Sequence, residues 1–158
     1  MEISKRQKFV ASKAIPLVHT VVISGLSVLL GGLIYVVWRP IPPAFITWIK
    51  NSEVRDLMSA MQQGIQQNIP VLPDWMVYSL PNAFWAFAYS YLLCNLWYRQ
   101  NGWEKWLWVS TAPMLPIGWE VLQHFSVLPG TFCWLDLSLG LIGACIGIVM
   151  GKKRKISS

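Results

Sequence analysis

The chain has 158 residues, of which 54% are hydrophobic and 13% are charged, and its mean hydropathy is +0.44. Roughly a quarter of the residues of soluble domains are charged, so this composition excludes an ordinary soluble domain and indicates an integral membrane protein. The formal net charge of +6 comes mainly from basic residues grouped beside apolar segments, a pattern typical of topology signals and lipid contacts rather than of nucleic-acid binding.

The first apolar segment, residues 15–38, predicts an uncleaved transmembrane helix. It runs to Trp38 without a charge, which is longer than the apolar core of a signal peptide, and no cleavage pattern follows it. The prolines after Arg39 should end the helix. The basic residues that precede the segment are Lys5, Arg6, Lys8 and Lys13.

Residues 53–68 predict an amphipathic helix between the first two spans. Ser52 is a candidate N-cap, Glu53 and Asp56 suit the positive end of the helix dipole, and Pro70 follows the segment. We expect this helix to lie on the membrane or over the ends of the spans. Its apolar face is formed by Val54, Leu57, Met58, Met61, Ile65 and Ile69, and its polar face by Gln62, Gln63, Gln66 and Gln67.

Three further spans are predicted at residues 77–98, 106–125 and 134–150, each close to the length of about 20 residues that a bilayer requires. Both termini carry four basic residues and the loop 99–105 carries two more, so the termini and this loop should face the cytoplasm. The expected fold is all-α: an integral membrane bundle of four transmembrane helices with one amphipathic interfacial helix, in a single domain covering residues 1–158.

Glycine and proline mark the third and fourth spans. Gly143, Gly147 and Gly151 recur at four-residue spacing and form a ridge of small residues, which favours close helix packing within the chain or between chains. Pro113 and Pro116 should kink the third span and free backbone carbonyls.

Polar side chains from three spans fall at a similar depth near the outer surface, namely Asn82, Glu120, Gln123, His124 and Asp136. The three on the third span are spaced i,i+3 and i,i+4 and therefore share one helical face. An ionisable group at mid-bilayer costs about 2.5–3.5 kcal/mol or more, so such groups are usually shielded, paired or functional. This cluster is the candidate binding site, in which Glu120 and Asp136 could pair with each other or contact a polar headgroup.

Simpler interpretations stand beside that hypothesis. Asn82 and Gln123 taken alone are typical of hydrogen bonds between helices. His124 lies near an interface, where its polar tip can reach water. For Glu120 and Asp136 we favour a functional role, because their cost in the membrane is the highest.

Signals for catalysis and cofactors are absent. Cys94, Cys133 and Cys145 have no metal-ligand spacing, and we expect no disulfide, no metal site and no cofactor. The sequence also lacks a His-Glu-x-x-His motif, a Gly-x-Ser-x-Gly elbow and a phosphate-binding loop.

The stretch 113–151 contains three motifs in order: Glu120-Val121-Leu122-Gln123, then Gly130-Thr131-Phe132, then Asp136-Leu137 followed by Gly143 and Gly147. In this pattern the stretch resembles the VanZ-like family of small bacterial membrane proteins. A weaker likeness covers the aromatic-rich segment that begins at Pro81-Asn82. The resemblance implies a multi-pass protein of the bacterial cytoplasmic (inner) membrane, in some members linked to lipoglycopeptide antibiotic resistance and cell-envelope processes, with Glu120, Gln123 and Asp136 as the matching positions.

The leading functional hypothesis is a small, non-catalytic cell-envelope protein. It would bind a lipid-linked or amphiphilic envelope ligand at the polar cluster, with membrane lipids as its partners. One alternative is a structural subunit of a larger membrane complex, such as export or polysaccharide machinery, which would bring partner membrane proteins or a homo-oligomer. The other is an intramembrane lipid-modifying enzyme with Glu120 or His124 as general base, which we place last because no nucleophile is evident.

Overall fold

The computed structural model describes residues 2–39, 52–69, 72–97, 102–128 and 130–153, except for the side chains of residues 2–16, 52, 55, 58 and 153. Several features named above lie outside this description. They are the side chains of Lys5, Arg6, Lys8, Lys13, Ser52, Met58 and Lys153, and the residues Pro40, Pro42, Pro43, Pro70, Arg99, Arg154 and Lys155.

Every regular element in the described ranges is a helix, which confirms the all-α class. Four of the helices overlap the four predicted spans, and another overlaps the predicted amphipathic helix. The elements are α1 (Glu2–Trp38), α2 (Ser52–Asn68), α3 (Asp74–Tyr78), α4 (Leu80–Leu96), α5 (Trp103–His124) and α6 (Trp134–Lys153).

Two of these helices contain stretches that are long and apolar enough to cross a membrane. Leu17–Trp38 of α1 has a mean hydropathy of 2.2 and Trp134–Lys152 of α6 has one of 1.8. In the most apolar part of each stretch only 28% is buried, so most of this apolar surface faces away from the rest of the protein. The core helix of a soluble protein would be mostly buried instead.

Helix α4 lies at the centre of the bundle and packs against α1, α5 and α6. Ala88 and Tyr91 of α4 are each 2% exposed and Ser90 is fully buried. The helix has 17 residues, which corresponds to a length of about 25 Å at 1.5 Å per residue.

The glycine ridge of α6 packs against α4. A Cβ atom added to Gly147 would lie 2.6 Å from the carbonyl oxygen of Phe87, and one added to Gly151 would lie 2.5 Å from the Cβ of Cys94. At Gly143 an added Cβ would clash with the carbonyl of Ala83. Because only a hydrogen atom fits at these positions, the backbones of α4 and α6 approach closely along the ridge.

Polar contacts also join α1 to α4. The hydroxyl of Ser24 donates a hydrogen bond of 3.1 Å to the carbonyl oxygen of Ala88. One turn further along α1, the indole N–H of Trp85 donates to the carbonyl oxygen of Val28 at 3.3 Å. These bonds fix the depth of α1 relative to α4.

Helix α5 continues through both Pro113 and Pro116 as one helix, so the prolines do not interrupt it. Pro116 faces α6, where a Cβ atom added to Gly140 would lie 2.8 Å from its Cβ. On the other flank, the Tyr89 and Thr111 hydroxyls are 2.9 Å apart and link α4 to α5.

Candidate functional site

The buried Glu120 and the half-buried Asp136 lie at one end of the bundle, which we call the polar end. Four segments meet here: the end of α1 at Arg39, the α3–α4 turn at Ser79, the last turns of α5 at Glu120 and the first turn of α6 at Asp136. The chain therefore gathers residues that are distant in sequence at the ends of its apolar helices.

Asp136 is bound by Ser79. The Ser79 hydroxyl donates a hydrogen bond to Oδ1 of Asp136, and Ser79 is only 2% exposed. Ser79 occupies the turn between α3 and α4, where its own N–H donates to the carbonyl oxygen of Trp75 at 3.0 Å. The side-chain bond therefore fastens this turn to the start of α6.

Glu120 accepts a hydrogen bond from the backbone at the N-terminus of α6. It is 3% exposed, and its Oε2 accepts a hydrogen bond of 2.8 Å from the N–H of Cys133. The carbonyl oxygen of Cys133 in turn accepts from the N–H of Leu137 at 3.1 Å, so Cys133 is where α6 begins. A carboxylate at this point is favoured by the unpaired N–H groups and the positive dipole end of the helix.

The two carboxylates thus have separate partners. Within the described ranges no hydrogen bond joins Glu120 to Asp136, so the pairing considered from the sequence is not made. Each carboxylate instead holds one connection of the bundle in place. Asn82 lies half-buried in the first turn of α4, and among the described residues no hydrogen bond links it to either acid.

The α5–α6 loop wraps over Gln123. Gly130 has φ of +126°, and a Cβ atom there would clash with the Gln123 side chain. Only glycine combines this backbone conformation with so close an approach. Gln123 is half-buried under the loop, so the Glu-x-x-Gln motif is brought together with the Gly130 segment that follows it in the sequence.

His124 is exposed and belongs to an aromatic group at the same end. Its ring contacts Phe125 at a centroid distance of 5.3 Å and Phe132 at 5.7 Å, both edge to face. Phe132 also contacts Trp134 at 4.8 Å. The histidine ring is therefore placed beside aromatic surface.

Two glutamines of α2 bind the end of α1, a role that the sequence analysis missed. Nε2 of Gln62 donates to the carbonyl oxygen of Arg39 at 2.8 Å, and Nε2 of Gln66 donates to that of Val37 at 2.7 Å. Carbonyls in the last turn of a helix lack partners within the helix, so these amides satisfy them. The i,i+4 spacing of the two glutamines was the available signal.

The apolar face of α2 points away from the bundle. Leu57 is 62% exposed and Met61 is 59% exposed. The helix therefore docks through the edge of its polar face and leaves its apolar stripe uncovered, an arrangement typical of helices that lie in a membrane interface.

A cleft of ≈ 470 Å³ lies between the end of α1, α2 and α3. Trp38 and Tyr78 contribute aromatic surface to it, while Gln63 and Asp74 contribute polar groups. Its volume falls within the range of about 300–1,000 Å³ that is usual for small-molecule sites. The sequence analysis did not identify this cleft, because its walls come from three separate segments.

Arg39 lies behind the aromatic wall of the cleft. Its guanidinium carbon is 4.1 Å from the centroid of the Tyr35 ring and 5.2 Å from that of the Tyr78 ring. Its Nε is buried and has no hydrogen-bond partner among the residues that the structure describes. The positive charge is thus held by aromatic faces at the end of α1.

Neither a disulfide nor a metal-ligand group is found among the described residues. The three cysteines are free; Cys94 is buried, Cys133 is half-buried and Cys145 is exposed. In the part of the chain that the structure describes, no group of three His, Cys, Asp or Glu residues is placed to hold a metal ion.

No protein-family model, curated protein or solved structure matches the chain. The likeness to VanZ-like proteins therefore depends on the motif residues themselves. In the structure, Glu120, Gln123, Gly130 and Asp136 of that motif all lie around the α5–α6 connection.

Proposed function

We propose that the chain is a VanZ-like, multi-pass protein of the bacterial cytoplasmic membrane that binds a lipid-linked or amphiphilic envelope ligand at its polar end, without chemical turnover. The observation that carries this proposal is the contrast between that end and the sides of the bundle. Two carboxylates, several amides and a cleft are gathered at the end, whereas the sides are apolar and exposed.

The exposed apolar sides support four membrane spans. Besides α1 and α6, helix α5 presents Met114 at 64% exposure, Leu115 at 57% and Trp119 at 54%. Surfaces of this size and composition are not kept in contact with water in a monomeric soluble protein. A bilayer around α1, α5 and α6 would cover them, with α4 enclosed in the middle.

The carboxylates support binding without catalysis. Glu120 and Asp136 each accept a hydrogen bond from the protein itself, so they hold the polar end in shape and are not presented to a substrate. The cleft beside them is open. In this proposal the residues of the polar cluster form a frame, and the ligand contacts surfaces that the frame keeps in position.

The glycine ridge bears on the alternative of a structural subunit in a larger complex. From the sequence, the ridge was one of the features that favoured packing between chains. Gly143 and Gly147 instead pack against Ala83 and Phe87 of the same chain. The ridge is therefore not available to a partner, which favours a chain that acts without one.

Native mass spectrometry of the full-length tagged protein, extracted gently from its own host, tests this proposal. We expect the bare chain or a homo-oligomer to carry a retained amphiphile of one headgroup class. A stoichiometric protein partner without retained lipid would overturn the proposal in favour of the subunit. Turnover of a labelled envelope lipid by the purified protein would overturn it in favour of an enzyme.

A further inference from the structure

We propose that the cleft between α1, α2 and α3 binds an uncharged glycosyl headgroup of a membrane amphiphile. This inference rests on the proposed function, because it assigns the place and the chemical class of the ligand at the polar end. The argument uses the charge of the cleft, the chemistry of its amides and the position of its aromatic rings.

The charge of the cleft disfavours an anionic headgroup. Asp74 is the one ionisable acid or base, tyrosine aside, among the described residues that line it, and no lysine or arginine does so. A phosphate placed in the cleft would be repelled by the Asp74 carboxylate, and no lysine or arginine among the described lining residues offsets this repulsion. Phosphate sites in proteins normally use arginine, lysine or a row of backbone N–H groups.

A cationic headgroup is disfavoured by Arg39. Its guanidinium already lies against Tyr78, 5.2 Å from the ring centroid, and Tyr78 forms part of the aromatic wall of the cleft. A second cation on this wall would be repelled by the first. Asp74 in the cleft therefore disfavours an anionic headgroup, and Arg39 behind the aromatic wall disfavours a cationic one. An uncharged ligand avoids both conflicts.

The glutamines supply the contacts that hydroxyl groups need. Gln62 and Gln66 each donate one N–H to a carbonyl at the end of α1, and these bonds hold their amides in a fixed orientation. A primary amide has a second N–H and an acceptor oxygen. Together with Gln63, the amides offer donors and acceptors side by side, which matches the alternating donors and acceptors of a sugar's adjacent hydroxyls.

The aromatic residues complete the chemistry of a sugar site. Trp38 and Tyr78 present apolar ring surface in the cleft, against which the C–H face of a pyranose can pack while its hydroxyls reach the amides. The exposed apolar stripe at Leu57 and Met61 of α2 would place the cleft at the level of the headgroups. A glycosyl group attached to a bilayer-anchored tail would reach it there.

The experiment uses the full chain in phosphatidylcholine nanodiscs that contain three dioleoyl lipids at equal mole fraction: monoglucosyl diacylglycerol, phosphatidylglycerol and phosphatidylethanolamine. Lipids that remain bound on release into a native mass spectrometer are identified and counted. We expect the glucosyl lipid to be retained about tenfold over the other two, the ratio that 1.4 kcal/mol of preference produces.

The variants decide whether the cleft is responsible. Gln63→Leu and Asp74→Asn change exposed residues of the cleft and should remove the preference, while Gln67→Leu, on the same helix but outside the cleft, should keep it. Thermal unfolding of each variant confirms that the fold is retained. An equal loss in Gln67→Leu would overturn the inference.

The remaining outcomes separate this inference from the proposed function. A preference for phosphatidylglycerol or phosphatidylethanolamine overturns the glycosyl class but leaves a ligand-binding membrane protein. A glucosyl preference that survives in Gln63→Leu and Asp74→Asn overturns the cleft as its site. Retention of no lipid by any form of the protein overturns both proposals together.

Discussion

The hydroxyl of Ser79 is bonded to the carboxylate of Asp136, which lies 57 residues further along the chain. One side chain sits in a turn between two helices and the other in the first turn of the last helix. This contact therefore joins the α3–α4 turn to the start of α6 at the polar end.

We predict that Ser79 and Asp136 are energetically coupled. A double-mutant cycle of Ser79→Ala and Asp136→Ala, read by reversible unfolding in mixed micelles, should give a coupling energy of about 0.6–2 kcal/mol, the range for hydrogen bonds between membrane helices. Ser110→Ala, which removes a local hydroxyl bond to Leu107, is the matched control. A coupling indistinguishable from zero would mean that the bond does not hold the turn.

Glu120 should prove more important for stability than for contact with a ligand. Glu120→Ala removes the acceptor of the Cys133 N–H and should lower the free energy of unfolding by about 1–3 kcal/mol, since it leaves a donor without a partner. Glu120→Gln keeps an acceptor oxygen and similar volume, so it should lose less than Glu120→Ala. The measurement is denaturant unfolding combined with the amount of protein that accumulates in the membrane.

A loss of ligand binding without a loss of stability would instead make Glu120 a ligand-binding residue. If Glu120→Gln abolished ligand retention or phenotype while accumulation and unfolding were unchanged, the carboxylate charge itself would be required by the ligand.

The close approach of α4 and α6 makes Gly147 sensitive to one methyl group. Gly147→Ala places a Cβ 2.6 Å from the Phe87 carbonyl oxygen and should destabilise the protein by about 1–3 kcal/mol, the usual effect of overpacking. Gly32→Ala is the control, because nothing lies within 4 Å of a Cβ there. That variant should be neutral or slightly stabilising, since alanine is the better helix former. Equal effects in both variants would contradict tight packing at the ridge.

The orientation of the bundle can be measured by cysteine labelling. In a chain whose native cysteines are replaced by alanine, Val127→Cys, at a position that is 67% exposed, should react with a membrane-impermeant maleimide in intact spheroplasts. Glu104→Cys, exposed at the opposite end of α5, should react only after permeabilisation. The reverse pattern would place the polar end in the cytoplasm, and labelling of both positions in intact cells would argue against a span between them.

Periodicity and composition predicted the helices well because both depend on local residues. The predicted helix 53–68 corresponds to Ser52–Asn68, and the predicted start at residue 134 is the start of α6 at Trp134. The spacing of Gly143, Gly147 and Gly151 predicted close packing, although it could not identify α4 as the neighbour. Neighbours depend on helix rotation, which spacing within one helix does not determine.

The candidate site was harder to predict because its contacts join distant segments. Glu120 and Asp136 were identified by the free-energy cost of placing an ionisable side chain in an apolar segment. Their partners, a backbone N–H and the Ser79 hydroxyl, have no recognisable sequence pattern. Gln62 and Gln66 were assigned to the polar face of the amphipathic helix, and their bonds to the end of α1 were not predicted. A glutamine amide can hydrogen-bond to water or to a backbone carbonyl, so the residue type alone does not indicate which partner it has.

The 17 residues of α4 have a consequence for the depth of its ends in the proposed membrane setting. At about 25 Å the central helix is shorter than the hydrocarbon thickness of about 30 Å. Because α4 is enclosed by α1, α5 and α6, this shortfall faces protein and not lipid. At least one end of α4 then lies below the level of the headgroups, where irregular backbone is tolerated only when protein covers it. The burial of Ser79 at the start of α4 fits this requirement.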